Sequence, residues 1–257
     1  MRKINRIGEE GYNNFGSKII IVEYRKWDDI NVYFPEYNWT AKHVQYDKFK
    51  KGKIKCPYEP RTFGMGYLGE GKYKTRENGK KTDKYIIWCG ILRRCYDPKF
   101  QEKEPTYKGC KVEDYLLNFQ HMCEWIDKNY YEIPGEKMEL DKDILCKGNK
   151  IYSRETCIFV PKRINSLFVK RGNARGDTSI GVDQLSSGNY EVRCNDGYGK
   201  RIYLGTYSTE EEAFQIYKEY KEKVIKEIID SYEGKIPEPF YSRLREAMYN
   251  YRVEIDD

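Results

Sequence analysis

Residues 179–232 read SIGVDQLSSGNYEVRCNDGYGKRIYLGTYSTEEEAFQIYKEYKEKVIKEIIDSY. Three segments, Ile180–Leu185, Asn189–Asn195 and Lys200–Tyr207, alternate in polarity. They are parted by Ser-Ser-Gly and Asn-Asp-Gly-Tyr-Gly, both turn-forming, so three short antiparallel strands are predicted. A helix then opens at Ser208 or Thr209. Glu210, Glu211 and Glu212 fall in its first turn, where the helix dipole favours carboxylates. Ala213, Phe214, Tyr217, Tyr220, Val224 and Ile228 mostly recur three or four apart, giving one stripe that can cover the sheet.

The two faces of that sheet differ. Val182, Tyr190, Val192, Cys194, Ile202 and Leu204 share one parity and suit the helix side. Asp183, Leu185, Asn189, Glu191, Arg193, Asn195, Arg201 and Tyr203 share the other. A three-stranded sheet covered on one side leaves its second face to water or a partner. Arg, Asn and Tyr there suit phosphates and base edges.

Gly181-Val182, Gly188-Asn189-Tyr190 and above all Arg201-Ile202-Tyr203-Leu204-Gly205-Thr206-Tyr207 before an acidic helix resemble the AP2/ERF DNA-binding domain. In that family the sheet enters the major groove. The resemblance implies that Arg193, Asn195, Lys200, Arg201 and Tyr203 meet double-stranded DNA. Asp183, Leu185 and Ser187 stand where plant members carry Arg or Trp, so no target sequence is carried over.

A chain of 257 residues allows two or three small domains or one large one. The net charge of +6 is spread along the chain and is compatible with nucleic acid without demanding it. Eight cysteines contain no C-x-x-C pair and read as small reduced core residues, although a zinc site from Cys89, Cys95, Cys110 and Cys123 is an open alternative. No apolar run approaches the ~20 residues of a membrane span, so no membrane partner and a cytoplasmic location are expected.

From Gly11 to Tyr73 the signals are those of strands: Lys18–Arg25, Ile30–Phe34, Thr40–Tyr46 and further short ones over Lys48–Cys56. A small curled antiparallel sheet or partial barrel is predicted. Lys48, Lys50, Lys51, Lys53 and Lys55 beside Phe49 read equally as a phosphate-contacting patch or a solvated strand and turn. Asn14-Phe15-Gly16-Ser17 through Gly66-Tyr67-Leu68-Gly69 resembles a short repeat at the front of phage proteins of the HNH type, which carries no catalytic residue. Residues 74–84 read as a polar linker. Helices are predicted over about 83–96, stopped at Asp97-Pro98, and from Glu113 or Asp114 onward.

Residues 138–168 read MELDKDILCKGNKIYSRETCIFVPKRINSLF. A strand over Met138–Leu145, a turn, a second strand or loop over Lys150–Phe159 and a helix from Pro161 give the order β, β, α. This resembles the HNH, or ββα-metal, nuclease module of phage homing endonucleases. The resemblance implies a catalytic set of Asp141, Lys142, Asp143 and Asn165, with Asp141 and Asn165 holding Mg²⁺ or a similar ion. Lys142 stands where the family has its histidine base, and Asn149 or Thr156 is the nearest match for the asparagine that holds the loop. An ammonium with a pKa of ~10.4 is protonated at neutral pH and is a poor base. Two readings stay open: a nuclease with altered chemistry, or a relic frame kept for binding.

Lys170, Arg171 and Arg175, among glycines, read as a basic tether that can lie along a phosphate backbone or as a plain linker. A last helix is predicted near Phe240–Arg252. The expected fold class is therefore α+β and multi-domain. Residues 1–75 form a small β domain, 80–170 an HNH-like ββα module with preceding helices, and 177–257 an AP2-like sheet and helix. The expected partner is double-stranded DNA. The alternative is a non-catalytic binder whose partner is a protein, such as a regulator or inhibitor of a host defence complex.

Overall fold

A computed structural model describes residues 5–169 and 178–255. Its first sheet follows from period-two burial. Strands β1 (Glu10–Tyr12), β2 (Lys18–Lys26), β3 (Asp29–Phe34) and β4 (Trp39–Val44) pair antiparallel in chain order. Ile19, Ile21, Ile30, Val32 and Phe34 turn to one side and are fully buried with Phe49, Ile54 and Cys56. Removing these side chains from water, at about 25 cal/mol per Å² of apolar surface, is what holds so short a meander.

The strands expected over Lys48–Cys56 are not formed. Helix α1 (Tyr46–Lys50) takes the first part, because Tyr46 and Phe49, three apart, both turn onto the core. The stretch read as a linker contains a hairpin, β5 (Arg76–Glu77) and β6 (Lys80–Lys81), turned by Asn78-Gly79, both at positive φ.

Helix α2 (Asp83–Tyr96) opens on Thr82, whose side chain accepts from the Tyr85 amide at 3.3 Å. Asp97 ends it and caps α3 (Pro98–Lys103) by accepting from Lys99 N at 3.1 Å. After β7 (Lys111–Val112), the single helix expected from residue 114 is divided into α4 (Asp114–Leu117) and α5 (Phe119–Asn129). The break is tertiary in origin. Tyr67 donates to Leu117 O and accepts from Phe119 N, a β-bridge across Asn118 that no local pattern announces.

Strand β8 (Met138–Asp141) pairs antiparallel with β10 (Ile158–Pro161), while β9 (Ile151–Tyr152) pairs in parallel with β7. Helix α6 (Lys162–Leu167) follows directly. The C-terminal sheet of β11 (Val182–Gln184), β12 (Tyr190–Asn195) and β13 (Arg201–Tyr207) is antiparallel in chain order. Helix α7 (Glu210–Asp230) is capped by Thr209, which accepts from Glu212 N at 3.3 Å, and α8 (Phe240–Asn250) closes the chain.

The protein is thus a mixed α and β fold with several small sheets and, among the described residues, eight α-helices. It divides into two compact units, Met1–Pro105 with Asp114–Glu124, and Thr106–Glu113 with Trp125–Asp257. The second unit holds both the ββα segment and the C-terminal sheet. No helix among the described residues is long and apolar enough to cross a membrane.

Candidate nucleic-acid interface

Register and packing together set the two faces of the C-terminal sheet. Val182 faces Val192, Cys194 faces Ile202, and Val182, Val192 and Cys194 are buried against Ala213 and Tyr217 of α7. Gly181, at φ +73°, lies flat on the Tyr217 ring, where any Cβ would enter the ring.

The alternation in β13 is interrupted once. Val192 pairs with Gly205 but Arg193 with Tyr203, so Leu204 is the extra residue of a bulge. Gly205 sits at φ +129°, and a Cβ there would come 2.8 Å from the Tyr207 hydroxyl. Strict alternation would send Tyr207 outward with Tyr203; the bulge returns it to the core and turns Thr206 out instead. Tyr203 and Thr206 hydroxyls then meet at 2.9 Å on the open side.

That open side carries Asp183, Arg193, Asn195, Arg201, Tyr203 and Thr206, all exposed, with Glu191 half-buried. Tyr203 is 58% exposed. The arginines are not unanswered: Arg193 Nε lies 2.7 Å from Glu191 Oε1, and Arg201 Nη2 reaches across β12 to Asp183 Oδ2 at 3.1 Å. Exposed pairs of this kind are worth ~0–1 kcal/mol each and exchange readily. The face therefore offers donors and acceptors in balance rather than a block of positive charge. This suits base edges, where Arg recognises guanine and a carboxylate accepts from cytosine N4.

Asn195 is differently employed from what the sequence suggests. Its Oδ1 accepts from Gly197 N at 2.7 Å, while Asp196 Oδ1 accepts from Tyr198 N at 2.8 Å and Lys200 N at 3.1 Å. These bonds build the β12–β13 turn. They present Lys200 and Tyr198, the latter 65% exposed. Tyr198 was not singled out from sequence. The Arg163 guanidinium lies 4.9 Å from its ring, and the Tyr in Gly-Tyr-Gly at the turn tip was the available signal.

Comparison with protein-family models, characterised proteins and solved structures finds no match to this chain. Function therefore rests on the side-chain chemistry.

The ββα segment has the predicted order, with β8 shorter than expected because Asp141 ends it. Asp141 Oδ1 accepts from Asp143 N and Ile144 N, both at 2.7 Å, curling the chain into a turn. Burial, and secondly the charge of Asp143, push the Asp141 carboxyl up to about 6. Lys142 is 7% exposed and donates to Asp143 Oδ2 at 2.7 Å and Asn149 O at 2.9 Å. Burial disfavours its ammonium, but the bonded Asp143 carboxylate outweighs this and raises its pKa above the ordinary lysine value. Lys142 is therefore a positive strut and not a base.

Asn149 is the residue that holds the loop. Its Nδ2 donates to Lys142 O at 2.6 Å and Ile151 O at 2.7 Å, and its Oδ1 accepts from Ile151 N at 3.1 Å. Thr156 contributes a bond to Ile151 O at 2.9 Å. Asn165 Nδ2 donates at 2.8 Å to Glu139, a half-buried acid that the sequence did not flag.

These residues do not fit a Mg²⁺ centre. Asp141 Oδ1 is occupied by two amides, and the buried Lys142 ammonium next to it along the chain takes the place of a neutral or anionic ligand. Among the described residues no three of His, Cys, Asp and Glu converge to hold a metal. Lys170, Arg171 and Arg175 lie outside the described residues.

Proposed function

We propose that this protein binds double-stranded DNA through the open face of its C-terminal sheet and does not cut it. The observation that carries the proposal is the one-sided sheet. Its inner face is sealed by α7, while Arg193, Arg201, Tyr203 and Thr206 stand together uncovered. Arg201 and Arg193 are the base or phosphate contacts, Tyr203 the apolar and hydroxyl contact, and Lys200 a phosphate contact from the adjoining turn.

The ββα segment supports the non-cleaving form of this reading. Hydrolysis of a phosphodiester needs a base for the attacking water and a cation at the scissile phosphate. Lys142 is protonated and locked between Asp143 and the Asn149 carbonyl, and Asp141 Oδ1 is taken by two backbone amides.

The charge balance of the open face favours one second reading, a protein partner, for which paired Arg and exposed Tyr are apt anchors. The two are separated by fluorescence anisotropy on a pool of random-sequence duplexes at low salt. Duplex binding weakened tenfold or more by R193A/R201A/Y203A, with no nicking in Mg²⁺ or Mn²⁺, supports the DNA reading. No duplex binding, or binding indifferent to the three substitutions, removes it in favour of the protein partner. Nicked product abolished by D141N would overturn the non-cleaving half alone.

A further inference from the structure

The lysine-rich run after β4 was left without a role by the C-terminal sheet, and the fold sorts it into two groups. Lys50 and Lys51 are neutralised by Glu9 at 3.3 Å and Asp47 at 3.0 Å. Lys48 and Lys53 are not, nor is Lys55. They join Lys42 of β4 and the indole of Trp39 along a groove of about 390 Å³ over buried Ile54. All four lysines are exposed, and among the described residues none of them forms an ion pair. No carboxylate lines the groove. Glu70 comes to its edge, where it accepts from Trp39 Nε1 at 3.0 Å and from the Tyr58 hydroxyl at 3.2 Å.

The local structure explains the sorting. In α1, Phe49 turns to the core and leaves the preceding Lys48 in solvent. The extended segment after it buries Ile54 and Cys56, so that Lys53 and Lys55 share the outer face. Four like charges gathered on one small surface repel one another, and the single carboxylate at the groove's edge, Glu70, is bonded to Trp39 and Tyr58 and offsets this only in part. The cost is relieved when an anion with several charges enters.

We infer that this groove binds a single-stranded stretch of nucleic acid, with phosphates on the four ammonium groups and one base against Trp39. Lysines are flexible point charges that follow a backbone without reading sequence. The aromatic wall selects the form of the nucleic acid. An unpaired base has a free face to lay on an indole, whereas the bases of a duplex are already stacked. The inference is independent of the C-terminal sheet, because the groove lies wholly within residues 39–55 of the other unit.

The test uses the full-length protein, a labelled ten-nucleotide oligo-dT and a hairpin duplex, compared by anisotropy across salt concentrations. K48Q/K53Q/K55Q is expected to weaken oligo-dT binding at least tenfold. It should also flatten the salt dependence by about two, since each phosphate contact on a single strand contributes about 0.7 to the slope. Duplex affinity should change less than twofold. K48R/K53R/K55R, which restores charge, should bind as the wild type does. W39L should weaken oligo-dT about fivefold and leave inorganic polyphosphate binding unchanged. R201A should do the converse of the lysine variant, weakening the duplex and sparing oligo-dT. Oligo-dT bound equally by wild type and K48Q/K53Q/K55Q overturns the inference. So does polyphosphate binding as tight as oligo-dT with no effect of W39L, which would mark a general polyanion patch.

Discussion

In the ββα segment, Asp141, Lys142, Asn149 and Asn165 each end on a neighbour inside the segment. In the C-terminal sheet, Arg193, Arg201 and Tyr203 end at the surface in contacts open to water. Both regions attract attention in the sequence for the same reason, a concentration of polar and charged residues at regular spacing. They differ in what the fold does with those groups. A buried amide or ammonium whose bonds are all made internally costs ~1–3 kcal/mol to disturb and has little left to offer a ligand. An exposed ion pair worth under a kilocalorie can be exchanged for a partner's groups at small cost. Substitutions in the first region should therefore register as stability, and those in the second as affinity.

The strongest challenge comes from the seat of the sheet. Gly181→Ala should lower unfolding free energy by about 3 kcal/mol, because it combines a positive φ with overlap on the Tyr217 ring. Urea denaturation measures it, and a change below 1 kcal/mol would mean that the ring is free to move aside. Next is Asn149→Ala, which removes three loop bonds and should cost about 2 kcal/mol while leaving duplex affinity unchanged. A loss of affinity without loss of stability would reverse the proposed division of labour.

Asp141→Asn tests the buried carboxyl through pH. The amide oxygen keeps both backbone bonds, and the amide nitrogen can donate to Asp143. The folded-state pKa stands near 6 against an ordinary 3.8, so the folded protein holds this proton more tightly than the unfolded chain does. Stability from this group is present below pH 4 and is lost as pH rises through 6. Wild type and variant should therefore be closest in stability near pH 4, and the variant should be more stable by about 2–3 kcal/mol at pH 7. Parallel curves across that window would show that the carboxyl is not perturbed. Smallest in stability is Arg201→Ala, expected to stay within about 0.5 kcal/mol of wild type by denaturation. The same change should cost ~1–3 kcal/mol in duplex binding if the guanidinium reads a base, or lower the salt slope by ~1 if it meets a phosphate.

Much of the element order was legible. α2 spans the predicted 83–96, the N-cap at Thr209 and the acid-rich turn mark the start of α7, and the three C-terminal strands fall within their predicted ranges. These features are local: a cap, a period, a turn dipeptide. The misses have non-local causes. Asn118 divides a continuous helical pattern because Tyr67, some fifty residues earlier, bridges across it. The second apolar stripe of α7, with Ile225 and Ile229 buried, reflects packing against α8 as well as the sheet. Glu139 escaped notice because nothing before the fold placed it within 2.8 Å of Asn165.

By itself the sequence determined which residues share a face, since alternation in a strand and spacing on a helix follow from backbone geometry alone. It therefore named Arg193, Arg201 and Tyr203 within one set, and the run of Lys48, Lys50, Lys51, Lys53 and Lys55 as another. Only the tertiary structure decided which of the polar groups remain available. Availability depends on whether a group from a distant part of the chain reaches the donor or acceptor, as Glu139 reaches Asn165, and on whether the pair stays open to water, as Arg201 and Asp183 do.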